Sequence, residues 1–199
     1  MEKNRATAWE LLTTYTSSES LLKHGLAVEA ALRWYARKWN EDEELWGMTG
    51  LLHDFDYERY PNPDEGGHPY VGSKILTEQG FPEVMIEAIL GHAHYTGVKR
   101  ETKLAKTLFA CDELSGLVTA AVLVRPDRAL ANLSVSSVKK KMKDKAFARG
   151  VNRDDIVLGA TELGIELDEH IGNVIEALST VASELGLAGD GNRIAGNAS

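Results

Sequence analysis

Five of the six histidines of this 199-residue chain fall between positions 24 and 94. His24 precedes Gly25, His53 precedes Asp54, and His92 and His94 flank Ala93. A neutral imidazole nitrogen is a good ligand for first-row transition metals and an anionic carboxylate offsets the ion's charge. A pocket that mixes the two can hold Mn, Fe, Co, Ni or Zn. Asp112 joins this group for a different reason. It stands in the middle of the most apolar stretch of the chain, LAKTLFACDELSGLVTAAVLV, among Leu108, Phe109, Cys111, Leu114 and Leu117. An ionised carboxylate there is expensive unless a cation or several donors compensate it. A metal ion compensates it fully; pairing with Lys106 or with an Arg of a neighbouring helix is the structural alternative.

The dipeptide His53-Asp54 is a weak signal alone, and its setting strengthens it. It closes the apolar run LWGMTGLLHDF and precedes a segment, Asp56 to Gly67, dense in Pro, Gly and Asp. Successive helical residues point about 100° apart, so both side chains reach one ion only where a helix ends and the backbone turns. A turn-rich segment at that point meets the demand.

The elements that must position these residues read as helices throughout. Apolar residues recur at intervals of three and four, as in Leu22, Leu26, Ala30 and Trp34, and no alternating pattern competes. The pattern predicts helices near 5–15, 18–39, 42–53, 68–79, 82–93, 101–124, 135–144, 153–163 and 168–186. Asn40 with Glu43 resembles a capping box, Gly80 stops a helix, Pro82 suits a first turn, and Asn152 and Asp168 can cap the last two helices. Trp34, Trp39 and Trp46 read as packing residues, Cys111 as a small core residue, and His170 as an exposed first-turn residue.

With these elements in place, His24, His53-Asp54 and Asp112 resemble the H…HD…D signature of the HD superfamily of metal-dependent phosphohydrolases, over about Ser18 to Val124. The surrounding segments HGLAVEAALR, GLLHDFDYERYP, HPYVGSKIL and ILGHAHYTG are similar to small bacterial HDIG-domain hydrolases. The resemblance implies an all-α fold: a single HD-domain helical bundle over 1–185, with an HD core at about 18–124 and additional C-terminal helices at about 127–185. Residues 186–199, with little apolar content, are expected to form a disordered tail.

For the site, the resemblance implies that His24, His53, Asp54 and Asp112 share one divalent ion and that Asp54 bridges to a second. His68 and His92 match the positions that supply the second ion's ligands in the dinuclear branch, which includes bacterial diadenosine tetraphosphate hydrolases. One or two ions are therefore expected, of Mn, Fe, Co, Ni, Zn or Mg. The implied chemistry is attack of metal-activated water on a nucleotide or another small phosphate ester or anhydride. His94 and Asp56 are the candidates for moving a proton beside Asp54. The sequence departs from the family pattern at Phe55-Asp56-Tyr57, where the namesake motif has Ile-Gly and where cyclic dinucleotide phosphodiesterases carry a phosphate-contacting Lys; their GYP segment is absent as well. Cyclic dinucleotides are disfavoured, and phosphate contacts must come from other cations: Arg59, Lys74, Lys99, Arg100 or Arg125.

A formal charge of −8 argues against a general nucleic-acid binder. The run Lys139, Lys140, Lys141, Lys143, Lys145 and Arg149 runs against this balance and reads first as a solvated helix face, second as a patch for a phosphorylated ligand. No apolar stretch approaches the roughly 20 residues that span a bilayer, no secretory leader is visible, and a single cysteine fits a reducing cytoplasm. Two other functions use the same residues: a di-iron redox enzyme, and a non-catalytic nucleotide-binding module.

Overall fold

A computed structural model describes residues 3–189. Among them the fold is all-α. Ten helices follow in order: α1 (Arg5–Tyr15), α2 (Glu19–Trp39), α3 (Glu43–Leu52), α4 (Tyr70–Glu78), α5 (Glu83–His92), α6 (Lys103–Leu123), α7 (Val135–Lys143), α8 (Arg153–Leu163), α9 (Leu167–Ser179) and α10 (Ala182–Leu185). Short 3-10 turns occur at Pro63–Glu65, His94–Thr96 and Leu130–Asn132. None of these helices is long and apolar enough to cross a membrane.

The apolar periodicity becomes one continuous core. Leu108, Leu114, Leu117, Val118 and Val122 of α6 are buried with Val28, Leu32 and Tyr35 of α2, Leu51 and Leu52 of α3, and Ile171, Val174 and Leu178 of α9. Trp46 is buried and Trp34 and Trp39 pack against the same core. Helices α2 and α3 lie unusually close, because a β-carbon at Gly50 would stand 2.8 Å from the carbonyl oxygen of Val28 and 2.9 Å from the amide of Glu29. This close approach sets His24 of α2 against His53, just past α3, with ring centroids 5.1 Å apart.

Four local expectations change. Asn40 does not open α3; it ends α2 in the left-handed region (φ 55°), which Asn tolerates better than most residues, and Asp42 caps α3 by accepting from the Leu45 amide. Glu166, not Asp168, precedes α9, and Asp168 in its first turn pairs instead with Lys139. The last predicted helix breaks at Thr180 and Val181, where Val181 leaves helical geometry. His170 is fully buried rather than exposed. Its Nε2–H donates to the Ala110 carbonyl (2.8 Å), and its Nδ1 accepts from the Tyr35 hydroxyl (2.7 Å), whose oxygen accepts from Asn173. A fully satisfied network makes this burial tolerable.

The expected tail is docked where it begins. Leu187 is buried, its carbonyl accepts from the Leu130 amide at 2.8 Å, and Ala188 bridges to Ala129. Residues 190–199 lie outside the described residues.

Candidate metal centre

Five segments deliver six side chains to one place. His24 comes from the second turn of α2, His53 and Asp54 from the turn that closes α3, His68 from the end of the Pro/Gly loop, His92 from the last position of α5, and Asp112 from the middle of α6. The turn after α3 is fixed by Phe55, which is buried against the edge of Tyr15 and whose carbonyl accepts from the Thr16 hydroxyl. His68 is held by its backbone, through its amide to the Tyr60 carbonyl (2.6 Å) and its carbonyl to the Tyr95 hydroxyl (2.9 Å).

The two oxygens of Asp54 face different partners. Oδ2 lies 3.4 Å from His53 Nε2 and 3.8 Å from His24 Nε2; Asp112 Oδ1 lies 2.9 Å from His24 Nε2 and 3.4 Å from His53 Nε2. Oδ1 of Asp54 lies 3.2 Å from His68 Nε2 and 3.4 Å from His92 Nε2, and these two nitrogens are 3.4 Å apart. Two sets of converging donor atoms result, His24/His53/Asp54/Asp112 and Asp54/His68/His92, each within 4.8 Å.

The far nitrogens explain why the near ones are available. His53 Nδ1 donates to the Gly50 carbonyl (2.8 Å), His92 Nδ1 to the Ile89 carbonyl, and His68 Nδ1 to the carboxylate of Asp56 (2.7 Å). Each bond places the proton on Nδ1 and turns the Nε2 lone pair toward the cluster, the usual preparation of a ligating histidine. The sharpest sign that a cation fits is His53 Nε2. It is buried and among the described residues no group stands at hydrogen-bonding geometry to it, which is costly for a polar atom unless something else is bound there. At His53, His92, Asp54 and Asp112 burial works against the charged form, yet the opposite charges win. His53 is held well above its usual pKa by Asp54 and Asp112, and His92 is raised by Asp54. Asp54 and Asp112 are held below the usual carboxylate range, chiefly by His53. Protons on these imidazoles and a metal ion are alternative answers to the same negative charge.

Asp56 is not placed to act on a substrate. It is fully buried, and its two oxygens are taken by His68 Nδ1 and by the amide of Gly72 (2.6 Å). Phe55-Asp56, the departure from the family motif, therefore has a structural reason: one residue anchors the turn in the core and the other orients His68. His94 stands on the 3-10 turn after α5, half exposed, with Nε2 3.0 Å from Asp155 Oδ1 and its ring edge-on to Phe109.

A cavity of about 510 Å³ opens over the cluster, and none of the five cations expected to meet phosphate lines it. Each is engaged or exposed elsewhere. Arg59 donates to the Thr14 carbonyl and covers Tyr15, Lys74 is exposed near Glu78, and Lys99 is exposed. Arg100 pairs with Glu162 (2.7 Å) and lies on Phe109, and Arg125 pairs with Asp127 (2.9 Å). The Lys139–Lys145 run is also absent from the lining; Lys139 pairs with Asp168. What the sequence reasoning missed are the residues that do line it: Tyr57, Tyr95, Glu113 and Asp155. Glu113, the neighbour of Asp112, is pushed up to about 7 by burial and then by that carboxylate's charge. A second acid beside Asp112 was the one signal available.

Fold and cluster together define an all-helical protein with a mixed histidine and carboxylate centre suited to divalent ions. Comparison with known families agrees: the HD domain family model matches residues 21–117, a stretch that contains all six side chains of the cluster. Curated relatives include the proteins named Ribonuclease Y of Bacillus thuringiensis (strain Al Hakam) and Bacillus mycoides (strain KBAB4). Each is 26% identical over 155 residues, covering 76% of this chain. The chain spans 29% of the length of these relatives. No solved structure matches it.

Proposed function

We propose that the protein is a metal-dependent phosphohydrolase that cleaves a nucleotide or another small phosphate ester or anhydride with water. The observation that supports this reading is the division of Asp54 between two donor sets, the arrangement expected of a carboxylate shared by two ions. Divalent ions held there supply Lewis acidity, acidifying water and polarising a phosphoryl oxygen. The rest belongs to the protein. His24, His53, Asp54, Asp112, His68 and His92 would hold the ions; Asp56 and the carbonyls of Gly50 and Ile89 keep the imidazoles aimed. We assign proton transfer at the cavity to His94, steadied by Asp155. In the overall step the water oxygen bonds to phosphorus, the bond to the leaving-group oxygen breaks with its electron pair, and that oxygen takes up a proton.

The Bacillus relatives' name puts a phosphodiester in RNA among the substrates to test. The cavity lining, without Lys or Arg among the described residues, favours a small substrate over a nucleic-acid strand. The deciding experiment is metal analysis of the purified chain followed by a phosphatase panel with Mn, Fe, Co, Ni, Mg and Zn. Hydrolysis that EDTA abolishes and His53→Ala removes is expected. Turnover only with iron and oxygen would point to redox chemistry, and tight metal binding without turnover to a binding module; either overturns the proposal.

A further inference from the structure

The cavity over the cluster is short of positive charge. Among the described residues its lining holds four carboxylates, Asp54, Asp112, Glu113 and Asp155, and neither Lys nor Arg. Ions on the cluster must answer these acids and the reacting phosphate as well. A second anionic group on the substrate finds no partner there.

It finds one next door. A cavity of about 680 Å³ adjoins the first, and His24 and Gly116 line both. Its cations are Lys23 of α2 and Arg128 of the loop after α6, and its apolar face is Ala120, Leu123 and Leu185. Leu123 is 47% exposed there. The acid in this lining, Glu19, is largely exposed and pairs with Lys23 at 2.7 Å, so an incoming phosphate competes only with a solvated ion pair of little strength.

Gly116 stands between the two. A glycine inside a helix costs about 1 kcal/mol relative to alanine, and close packing is the usual reason to keep one. Packing does not ask for it here: among the described residues an added β-carbon would meet only Val151 Cγ2, at an ordinary 3.9 Å. What the missing side chain leaves is an open passage.

We infer that the two cavities form one substrate cleft, in which the reacting phosphate sits at the cluster and a phosphorylated leaving group crosses Gly116 into the second cavity. There Lys23 and Arg128 bind its phosphate, and Ala120, Leu123 and Leu185 cover its apolar body. The substrate class that fits is a nucleoside diphosphate or a larger phosphoanhydride, rather than a lone monoester. This deepens the phosphohydrolase reading and rests on it.

The test is equilibrium binding to the manganese-loaded chain of two probes: inorganic phosphate, and the methylene-bridged analogue of adenosine diphosphate, whose P–C–P bridge resists hydrolysis. The wild type is expected to bind the analogue at least about tenfold more tightly than phosphate, given two charge-assisted contacts. A Lys23→Ala/Arg128→Ala double variant and Gly116→Leu should each erase that advantage. An analogue bound no better than phosphate, or an advantage that survives the double variant, overturns the inference, and the double variant decides the matter if Gly116→Leu fails to fold. Manganese is counted in the same samples. A wild type that takes up none refutes the phosphohydrolase reading instead, and loss or survival of analogue binding in the double variant still judges the second cavity.

Discussion

A methyl group at Gly72 is the smallest change that reaches half of the cluster without touching a candidate ligand. In Gly72→Ala the new carbon would lie 2.8 Å from Asp56 Cγ and 2.9 and 3.0 Å from its oxygens. To regain van der Waals distance the carboxylate must retreat by roughly half an ångström or more, and Asp56 is fully buried and bonded at both oxygens. The move strains its bonds from the Gly72 amide and from His68 Nδ1. Hydrogen bonds to a charged group are worth about 1.5–3 kcal/mol each, whereas alanine for glycine within α4 returns only about 1 kcal/mol. The loss wins, and a net destabilisation of about 1–3 kcal/mol is expected. Losing an outer-shell partner weakens metal binding about 10–100-fold, and the weakening should fall on the His68/His92 side alone. Calorimetric titration of the EDTA-stripped chain with manganese reads both effects: two binding events in the wild type, and in the variant an unchanged first event with a weakened second. A variant that melts higher than the wild type and titrates identically would refute the role given to Asp56.

Gly116→Ala should do the opposite to stability, since its β-carbon meets nothing closer than 3.9 Å. A gain of about 1 kcal/mol, seen as roughly 2–4 °C in Tm, is expected, and a fall in Tm would show that packing requires the glycine. His170 sets a pH dependence, because burial pushes its imidazole down to about 4, against about 6.5 in an unfolded chain. Below pH 6.5 the unfolded chain takes up a proton that the native state refuses. Stability from this group is thus full above 6.5 and is lost as pH falls toward 4, on the order of 2 kcal/mol between pH 7 and pH 5. His170→Gln removes this dependence, so the gap in urea midpoint between the two proteins should narrow on acidification; a constant gap contradicts it.

How much of this could be read from residues alone depends on whether the deciding interaction is local. Helix boundaries came close because apolar periodicity, Gly80 and Asn152 act within a few residues. The gathering of His24, His53, Asp54, His68, His92 and Asp112 was legible from histidine clustering, from the cost of a carboxylate at position 112, and from resemblance to the HD signature. Asp56 was misread, because neither its burial nor its bond to Gly72, sixteen residues on, shows in a motif. That none of the cations expected to meet phosphate lines the cavity was hidden for a similar reason: Arg100 is claimed by Glu162 and Arg125 by Asp127, and composition does not say which cations already have partners. His170 carried a polar label into a core where Tyr35 and Ala110 satisfy it, a pairing made across more than a hundred residues in one case. Glu113 and Asp155 enter the cavity through the packing of α8 on α6, which no spacing announces.

The central claim is that Asp54 joins two metal sites. Its most direct test is the metal content, by elemental analysis, of wild-type and Asp54→Ala protein loaded with manganese and dialysed, with circular dichroism to show that the helices persist. Two equivalents per chain in the wild type and loss of both in the folded variant are predicted. An Asp54→Ala protein that keeps its full metal content, or a folded wild type that holds none, would contradict it.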